Sequence, residues 1–426
     1  MNYKETRQYI QAVQTGAAIQ PGLETISLLL SKIGNPQDAC SFIHLAGTNG
    51  KGSTGTFITN VLAQSGRKIG RYFSPALFSK NETIQWNQGE KTHYITEEEY
   101  EAGYVRIREM KEKGQPVPTD FEIETALAFL AFSEWKCDLV VLETGMGGTL
   151  DATNVVKNVK MNVVTTIAMD HQKFLGDTIE EIAVQKAGII TNAAPVVTVQ
   201  ESSEALQVIQ NRCEEKKAPL YVLNRKEISG LSCEAGETKF CYRGETYTIR
   251  MCGQYQVENA CLALLALQVL EPLPPEIIQK GMAEARWLGR FDYVKKSPVW
   301  IADGAHNPQG MESLLASLRQ MYPDKKRIGI MGVFADKDHR KMCRKLAEDS
   351  WFQKIFTIQA PGPRGLSAES LAEELATFGM QSQSCTSLAE AVEEVKKLQK
   401  MEEKDTVVVC FGSLSFMKEL YQIMGE

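Results

Sequence analysis

Residues 43–53 read Ile-His-Leu-Ala-Gly-Thr-Asn-Gly-Lys-Gly-Ser. They constrain the chain more than any other stretch. An apolar run with strand character enters a tight glycine turn, meets a lysine and a hydroxyl, and passes into a helical pattern over residues 54–64. That order of parts makes a phosphate cradle. Glycines let backbone N–H groups approach an anion, and the helix N-terminus adds partial positive charge. The lysine holds outer phosphates, and a serine can ligate Mg²⁺. The common P-loop pattern, Gly, four residues, then Gly-Lys-Ser/Thr, is not met: the turn is shorter, and Gly52 separates Lys51 from Ser53. An ordinary glycine-rich strand-to-helix turn therefore stays open as the alternative. The strand before and the helix after favour the cradle, with Thr48, Asn49, Gly50, Lys51, Gly52 and Ser53 against the phosphates.

The rest of the chain is arranged to bury such a strand. Residues 1–40 read as helices broken at Pro21-Gly22 and resumed over 23–30. A short strand at 69–73 ends in Ser74-Pro75, residues 76–94 read as irregular, and 96–113 read as a helix with Thr96 and Glu99 in a capping box. A second helix spans 119–135. Further buried strands are expected at 138–142, 162–167 and 195–199, with helices at 178–187 and on to about 213. Continuous Val/Ile/Leu strands alternating with helices predict a parallel sheet covered on both faces. Residues 219–251 alternate polar and apolar and predict a small antiparallel excursion, followed by a helix over 256–270.

From about residue 297 the pattern restarts, with strands at 299–302, 327–333, 354–359 and 406–411 and helices between them. The fold class expected is α/β: an N-terminal P-loop-type domain with a mostly parallel sheet over residues 1–295, and a smaller C-terminal Rossmann-like α/β domain over 296–426. The boundary falls near 291–297.

Bulk properties narrow the function classes. The 426 residues carry a net charge of -6 and no lysine- or arginine-rich run, which disfavours a nucleic-acid partner. No signal peptide and no apolar run long enough to span a bilayer are legible, so a cytoplasmic protein without a membrane partner is expected. The ten cysteines include no C-x-x-C pair and no zinc-ligand spacing, which fits a reducing compartment.

In open α/β sheets ligands bind at the carboxyl ends of strands. The phosphate loop, Ser74, Glu143 and His171 all follow expected strands. A hydroxyl, a carboxylate and an imidazole near bound phosphates suit one or two Mg²⁺ ions. Taken singly, Glu143 reads equally as a cap or ion-pair partner, His171 as a structural histidine and Lys186 as a solvated lysine. The second domain opens on Asp303-Gly304-Ala305-His306-Asn307-Pro308, a polar, turn-prone loop after a strand. Arg290, just before the boundary, suits neutralisation of a transferring phosphoryl group, or is a surface arginine.

These motifs carry a resemblance. Gly47 to Ser53, the run 142–154 (LETGMGGTLDATN), Leu175-Gly176-Asp177-Thr178 with Lys186-Ala187-Gly188, Gly289-Arg290-Phe291, and Asp303 to Pro308 stand in one order along nearly the whole chain. Together they resemble the folylpolyglutamate synthase/dihydrofolate synthase family, within the Mur ligase superfamily. The resemblance implies an ATP-dependent amide ligase that activates a substrate carboxylate as an acyl phosphate and joins it to L-glutamate. Its substrates are expected to be ATP, glutamate and a folate or dihydropteroate, and its state a monomer.

The resemblance also implies roles. Lys51, Lys186, Arg290 and His306 are expected to act in catalysis. Thr48 to Ser53, Asn259, Arg290 and Asp303 are expected to hold the nucleotide, and Ser53, Ser74, Glu143, His171 and a carbamylated Lys186 the Mg²⁺. Thr119, Phe121, Glu122, Leu150, Asp151 and Ala152 are expected to line the pterin side. The chain departs from the family pattern at Ala76, Thr83, Thr149 and Tyr255, mostly where folate and its glutamate tail would sit. Two other readings remain: a ligase for a different carboxylate, such as a muramyl peptide, and a non-catalytic nucleotide-binding relative. The phosphate loop's position by residue 47 disfavours the first, and the intact Lys51, Glu143, His171, Lys186 and Asp303 disfavour the second.

Overall fold

The structure, a computed structural model, describes residues 3, 5–7, 22–109, 117–199, 203–234, 236–401 and 406–425. The helices expected over residues 1–21, and the end of the helix expected over 96–113, lie largely outside them. Contacts divide the chain into two compact units. The first is Met1–Ala168, Gln172–Lys226 and Asn259–Glu284; the second is Met169–His171, Glu227–Glu258 and Ala285–Glu426.

The first unit holds an eight-stranded sheet. In chain order its strands are β1 (Phe42–Ala46), β2 (Ile69–Tyr72), β3 (Ile84–Gln88), β4 (Lys91–Tyr94), β5 (Leu139–Glu143), β6 (Val159–Val164), β7 (Val196–Thr198) and β8 (Leu220–Val222). They lie in the order β4-β3-β2-β5-β1-β6-β7-β8. From β2 to β8 every pairing is parallel, while β3 and β4 join antiparallel at the edge. The central strand β1 is buried along its whole length, apolar except for the enclosed His44. Ile26, Leu30, Phe42, Tyr72, Phe129, Phe132 and Leu142 close one face, with the Phe42 and Phe129 rings edge-to-face at 5.7 Å.

The second unit holds a three-stranded antiparallel sheet, β9 (Ile228–Glu234), β10 (Glu237–Tyr242) and β11 (Glu245–Ile249). Its larger sheet has six strands: β12 (Asp292–Lys296), β13 (Val299–Asp303), β14 (Lys326–Met331), β15 (Phe352–Thr357), β16 (Ser382–Ser384) and β17 (Thr406–Phe411), in the order β12-β13-β17-β14-β15-β16. All its pairings are parallel except β12 with β13. Ile301, Leu314, Leu318, Leu346, Ile355, Val409 and Phe411 form its core. The α/β class and two-sheet organisation expected from the sequence are thus present.

The differences lie at sheet edges. Residues 76–94, read as irregular, contain the β3–β4 hairpin. Residues 291–297, read as a connection, contain β12. The three-residue strands β8 and β16 were not anticipated. The edge strand Lys91–Tyr94 is largely exposed and polar, and Asp292–Lys296 buries only Val294, so both lack the apolar signature of a central strand. The strand expected at 162–167 is Val159–Val164, three residues earlier at both ends.

Candidate functional site

The phosphate loop leaves β1 at the centre of the first sheet. Gly47 has φ 152° and Gly50 φ 93°, and neither position has room for a side chain. A Cβ on Gly47 would lie 1.8 Å from Thr165 Oγ1, and one on Gly50 would lie 2.5 Å from Asn259 Oδ1. The helix begins at Lys51, three residues earlier than the sequence pattern indicated, so Lys51, Gly52 and Ser53 form its first turn. The N–H groups of that turn have no intrahelical acceptor ahead of them and face the loop. Thr48 and Asn49 fasten the loop to the segment after β6. Thr48 N–H donates to Thr166 O at 2.6 Å, Thr48 Oγ1 accepts from Ala168 N–H at 3.0 Å, and Thr166 Oγ1 donates to Asn49 O at 3.1 Å.

Two lysines converge on one carbonyl. Lys51 Nζ donates to Gly47 O at 3.0 Å and Lys186 Nζ donates to the same oxygen at 2.9 Å. Lys186 is 3% exposed, so it is not the solvated lysine that its helix alone allowed. Glu143 ends β5 opposite Leu45 of β1, and its carboxylate lies 3.9 Å from Lys51 Nζ. Ser53 is buried, and Ser74 is half-buried just past the end of β2. These groups share the carboxyl edge of parallel strands, where open α/β sheets bind ligands.

One buried charge in this unit was missed. Arg71, on β2, donates from Nη2 to Gly52 O at 2.7 Å. Burial draws its guanidinium down to about 10, against the pull of Glu143 and Tyr94. A charged residue inside the otherwise apolar strand Ile69–Tyr72 was the available signal.

The expected pterin-side residues are organised by local structure. Thr119 caps the helix Asp120–Glu134 and forms a capping box with Glu122, whose carboxylate accepts from Thr119 N–H at 2.7 Å. The Phe121 ring lies 6.0 Å from that of Tyr72 and covers Gly145, where a Cβ would come within 2.6 Å of it. Asp151 is buried and accepts from Met146 N–H at 2.9 Å and Thr153 Oγ1 at 2.6 Å, while burial raises its carboxyl pKa. Leu150 is exposed and Ala152 buried. Thr149 binds the carbonyl of Gln185 through both N–H and Oγ1, and so pins the helix end that carries Lys186.

In the second unit, Asp303 ends β13 and acts as an organiser. Its Oδ2 accepts from Tyr255 Oη at 2.5 Å and Phe291 N–H at 2.8 Å, and its Oδ1 from Ala305 N–H at 2.7 Å. Burial raises its carboxyl, against those donors and Arg290. Arg290 lies against Gly304, where a Cβ would meet its Nη1 at 2.3 Å. His306 Nδ1 bonds Gly304 O at 2.8 Å. Asp170 and His171 group with this unit. Asp170 accepts from Lys337 Nζ at 2.7 Å and Asn307 Nδ2 at 3.2 Å, with His306 Nε2 at 3.7 Å. Burial would raise the Asp170 carboxyl, but His306, Lys337 and His171 hold it well below its usual range. His171 Nε2 lies 3.5 Å from Lys337 Nζ. Lys337 carried no sequence signal.

The structure therefore gathers Gly47, Lys51, Glu143 and Lys186, with Asn259 at Gly50. Among the described residues, no group of three His, Cys, Asp or Glu side chains is placed to hold a metal. The oxygen donors Glu143, Ser53 and Ser74 nevertheless fit Mg²⁺ in kind, since that ion is usually held by one or two carboxylates, with waters and substrate phosphates filling the rest of its shell.

Comparison with known proteins bears on this geometry. The Mur ligase middle domain matches residues 45–267, and the Mur ligase glutamate ligase domain matches 289–414. The dihydrofolate synthase/folylpolyglutamate synthase of Bacillus subtilis is 33% identical over 98% of this chain and 98% of its own length. The chain belongs to the folylpolyglutamate synthase/dihydrofolate synthase family of Mur ligases. Among solved members, Mycobacterium tuberculosis folylpolyglutamate synthase complexed with ADP and AMPPCP superposes with a TM-score of 0.89 at 27% identity, over 100% of this chain and 99% of that one. Escherichia coli FolC in complex with DHPP and ADP gives 0.86 at 28% identity, over 100% and 98%. The family thus includes members solved with an adenine nucleotide.

Proposed function

We propose that this protein is an ATP-dependent ligase that joins L-glutamate to the carboxylate of a folate, with dihydropteroate as a second acceptor. The observation that carries the reading is the convergence of Lys51 and Lys186 on the Gly47 carbonyl, beside Glu143, at the start of a helix. The activities for which its relatives are named and the nucleotide complexes of solved members of the family support it.

A carboxylate acylates an amine only after activation. Its oxygen attacks the γ-phosphorus, ADP leaves, and an acyl phosphate forms. The α-amine of glutamate then attacks the carbonyl carbon, phosphate departs with the bonding pair, and the nitrogen loses a proton. Positive charge and fixed geometry are what the transferring phosphoryl group needs. Lys51 and the N–H groups of residues 51–53 bind the phosphates, and Asn259 packs against the loop at Gly50. Arg290 and His306 act on the transferring phosphate, and Asp303 holds the Arg290-Phe291 turn and contributes to nucleotide binding. Mg²⁺ held by Ser53, Ser74, Glu143, His171 and a carbamylated Lys186 would supply Lewis acidity at the phosphate oxygens. Thr119, Phe121, Glu122, Leu150, Asp151 and Ala152 shape the pterin side. Residues 1–295 carry ATP and folate binding, and 296–426 form the C-terminal ligase domain. The reading places the protein in the cytoplasm as a monomer. None of the ten cysteines, all among the described residues, is joined in a disulfide, which fits that compartment, and no described helix is long and apolar enough to cross a membrane.

The test is phosphate release from ATP with L-glutamate and either dihydropteroate or tetrahydrofolate, each omitted in turn. Release that requires glutamate and an acceptor is expected, and Lys51→Ala should lower it by about a hundredfold or more while the circular dichroism spectrum is unchanged. No glutamate-dependent release with either acceptor would overturn the assignment, and full activity of Lys51→Ala would overturn the role of the loop.

A further inference from the structure

Burying a guanidinium is costly, and a buried ion pair is weak evidence of added stability. Arg71 is nonetheless 3% exposed on β2, flanked in the sheet by β3 and β5. Its Nη2 donates to Gly52 O at 2.7 Å, and a Cβ on Gly55 would lie 3.6 Å from the same nitrogen. Its guanidinium lies 5.1 Å from the centroid of the buried Phe73 ring, and it interacts electrostatically with Glu143. The side chain is therefore held beneath the first turns of the helix Lys51–Gln64, on the side away from the helix N-terminus.

The bond to Gly52 has a direction. In a helix a carbonyl points toward the C-terminus, and the N–H of the same peptide unit points toward the N-terminus. A cation on the Gly52 carbonyl polarises that peptide, so the Ser53 N–H becomes a stronger donor toward an anion at the helix start. Thr56 Oγ1 donates to the same carbonyl at 2.8 Å, which adds to the polarisation. The positive charge also offsets Glu143, which would otherwise repel phosphate beside Lys51.

We infer that Arg71 is a positioning residue for the nucleotide: from beneath the loop it fixes and polarises the Gly52–Ser53 peptide, and so strengthens binding of the β-phosphate and γ-phosphate. The inference rests on the nucleotide reading proposed above. It separates Arg71 from a purely structural charge, because its effect falls on ligands that carry a β-phosphate.

The experiment measures ADP and AMP binding to the full chain by calorimetry, for wild type, Arg71→Leu, Arg71→Gln and Arg71→Lys, with steady-state KM values alongside. A charge-assisted hydrogen bond of this kind predicts ADP affinity and ATP KM worsened on the order of tenfold in Arg71→Leu. AMP affinity and the KM for glutamate should stay within about twofold, the scale of a contact that is not engaged. Arg71→Lys should recover most of the ADP affinity, and Arg71→Gln should fall between. If a folded Arg71→Leu binds ADP as wild type does, or loses AMP and ADP affinity equally, the inference is overturned. If Arg71→Leu does not fold, equal ADP affinity of Arg71→Gln and wild type overturns it. Wild type that binds no ADP refutes the nucleotide reading itself, a result distinct from all of these.

Discussion

At the scale of single residues, the burial of a polar group decides more than its type. His44 lies on the central strand, fully enclosed, with Nε2 2.9 Å from Thr153 Oγ1. Burial drives its imidazole pKa down to about 3. Between about 3 and the ordinary value of about 6.5 the unfolded chain binds a proton that the folded chain refuses. Stability therefore rises with pH across that window and falls as the solution is acidified, by about 1.4 kcal/mol per unit from this group. His44→Leu should flatten that slope. Urea unfolding of both proteins at pH 7 and pH 5 checks it, and an unchanged pH dependence would show that other groups set the acid limb. Lys186 makes the complementary point. Its helix marks it as a surface lysine, yet its Nζ is carried to a carbonyl 139 positions away in sequence.

At the scale of elements, the helix carrying the phosphate loop is held from outside by another helix, Pro275–Glu284. Their contact depends on Gly281, where a Cβ would lie 2.4 Å from Val61 Cα and 2.7 Å from Val61 N. Backbone cannot yield as a flexible side chain does, so any larger residue must push the two helices apart. Gly281→Val should destabilise the protein by about 3 kcal/mol, read as a lower urea midpoint with unchanged slope. It should also weaken ADP binding, because the displaced helix carries Lys51 and Ser53. Wild-type stability of that variant would mean the helices separate without cost. The edge strands follow another rule. Trp86 of β3 pairs with His93 of β4, their rings stacked at 5.4 Å, and Lys68 Nζ lies 5.1 Å from the indole. One aromatic pair and a cation stabilise a hairpin whose sequence is otherwise polar, which is why periodicity passed over it.

At the scale of the whole molecule, the first unit is assembled from three separate stretches of chain and the second from three. The helix Gln254–Leu270 runs from one to the other, with Glu258 in the second unit and Asn259 in the first. Ligand binding to the folded state alone raises stability by mass action, about 2.7 kcal/mol at a hundredfold excess over Kd. ADP should therefore raise the thermal midpoint of the intact chain, and Lys51→Ala should remove that rise. An equal ADP shift in Lys51→Ala would show that the loop lysine does not bind the nucleotide.

Much of this organisation was legible in the sequence. The strand–glycine turn–lysine–helix order, the alternation of apolar strands with helices and the capping box of Thr96 with Glu99 all depend on neighbours a few residues apart. Backbone hydrogen bonding and side-chain periodicity act at that range, so local sequence carries them. Tertiary structure alone decided which distant residues meet. Register places Glu143 beside Leu45, packing carries Lys186 to Gly47, and the sheet sets Arg71 beneath Gly52. Those pairings are set by the fit of whole sheets and helices against one another, and no local pattern encodes them.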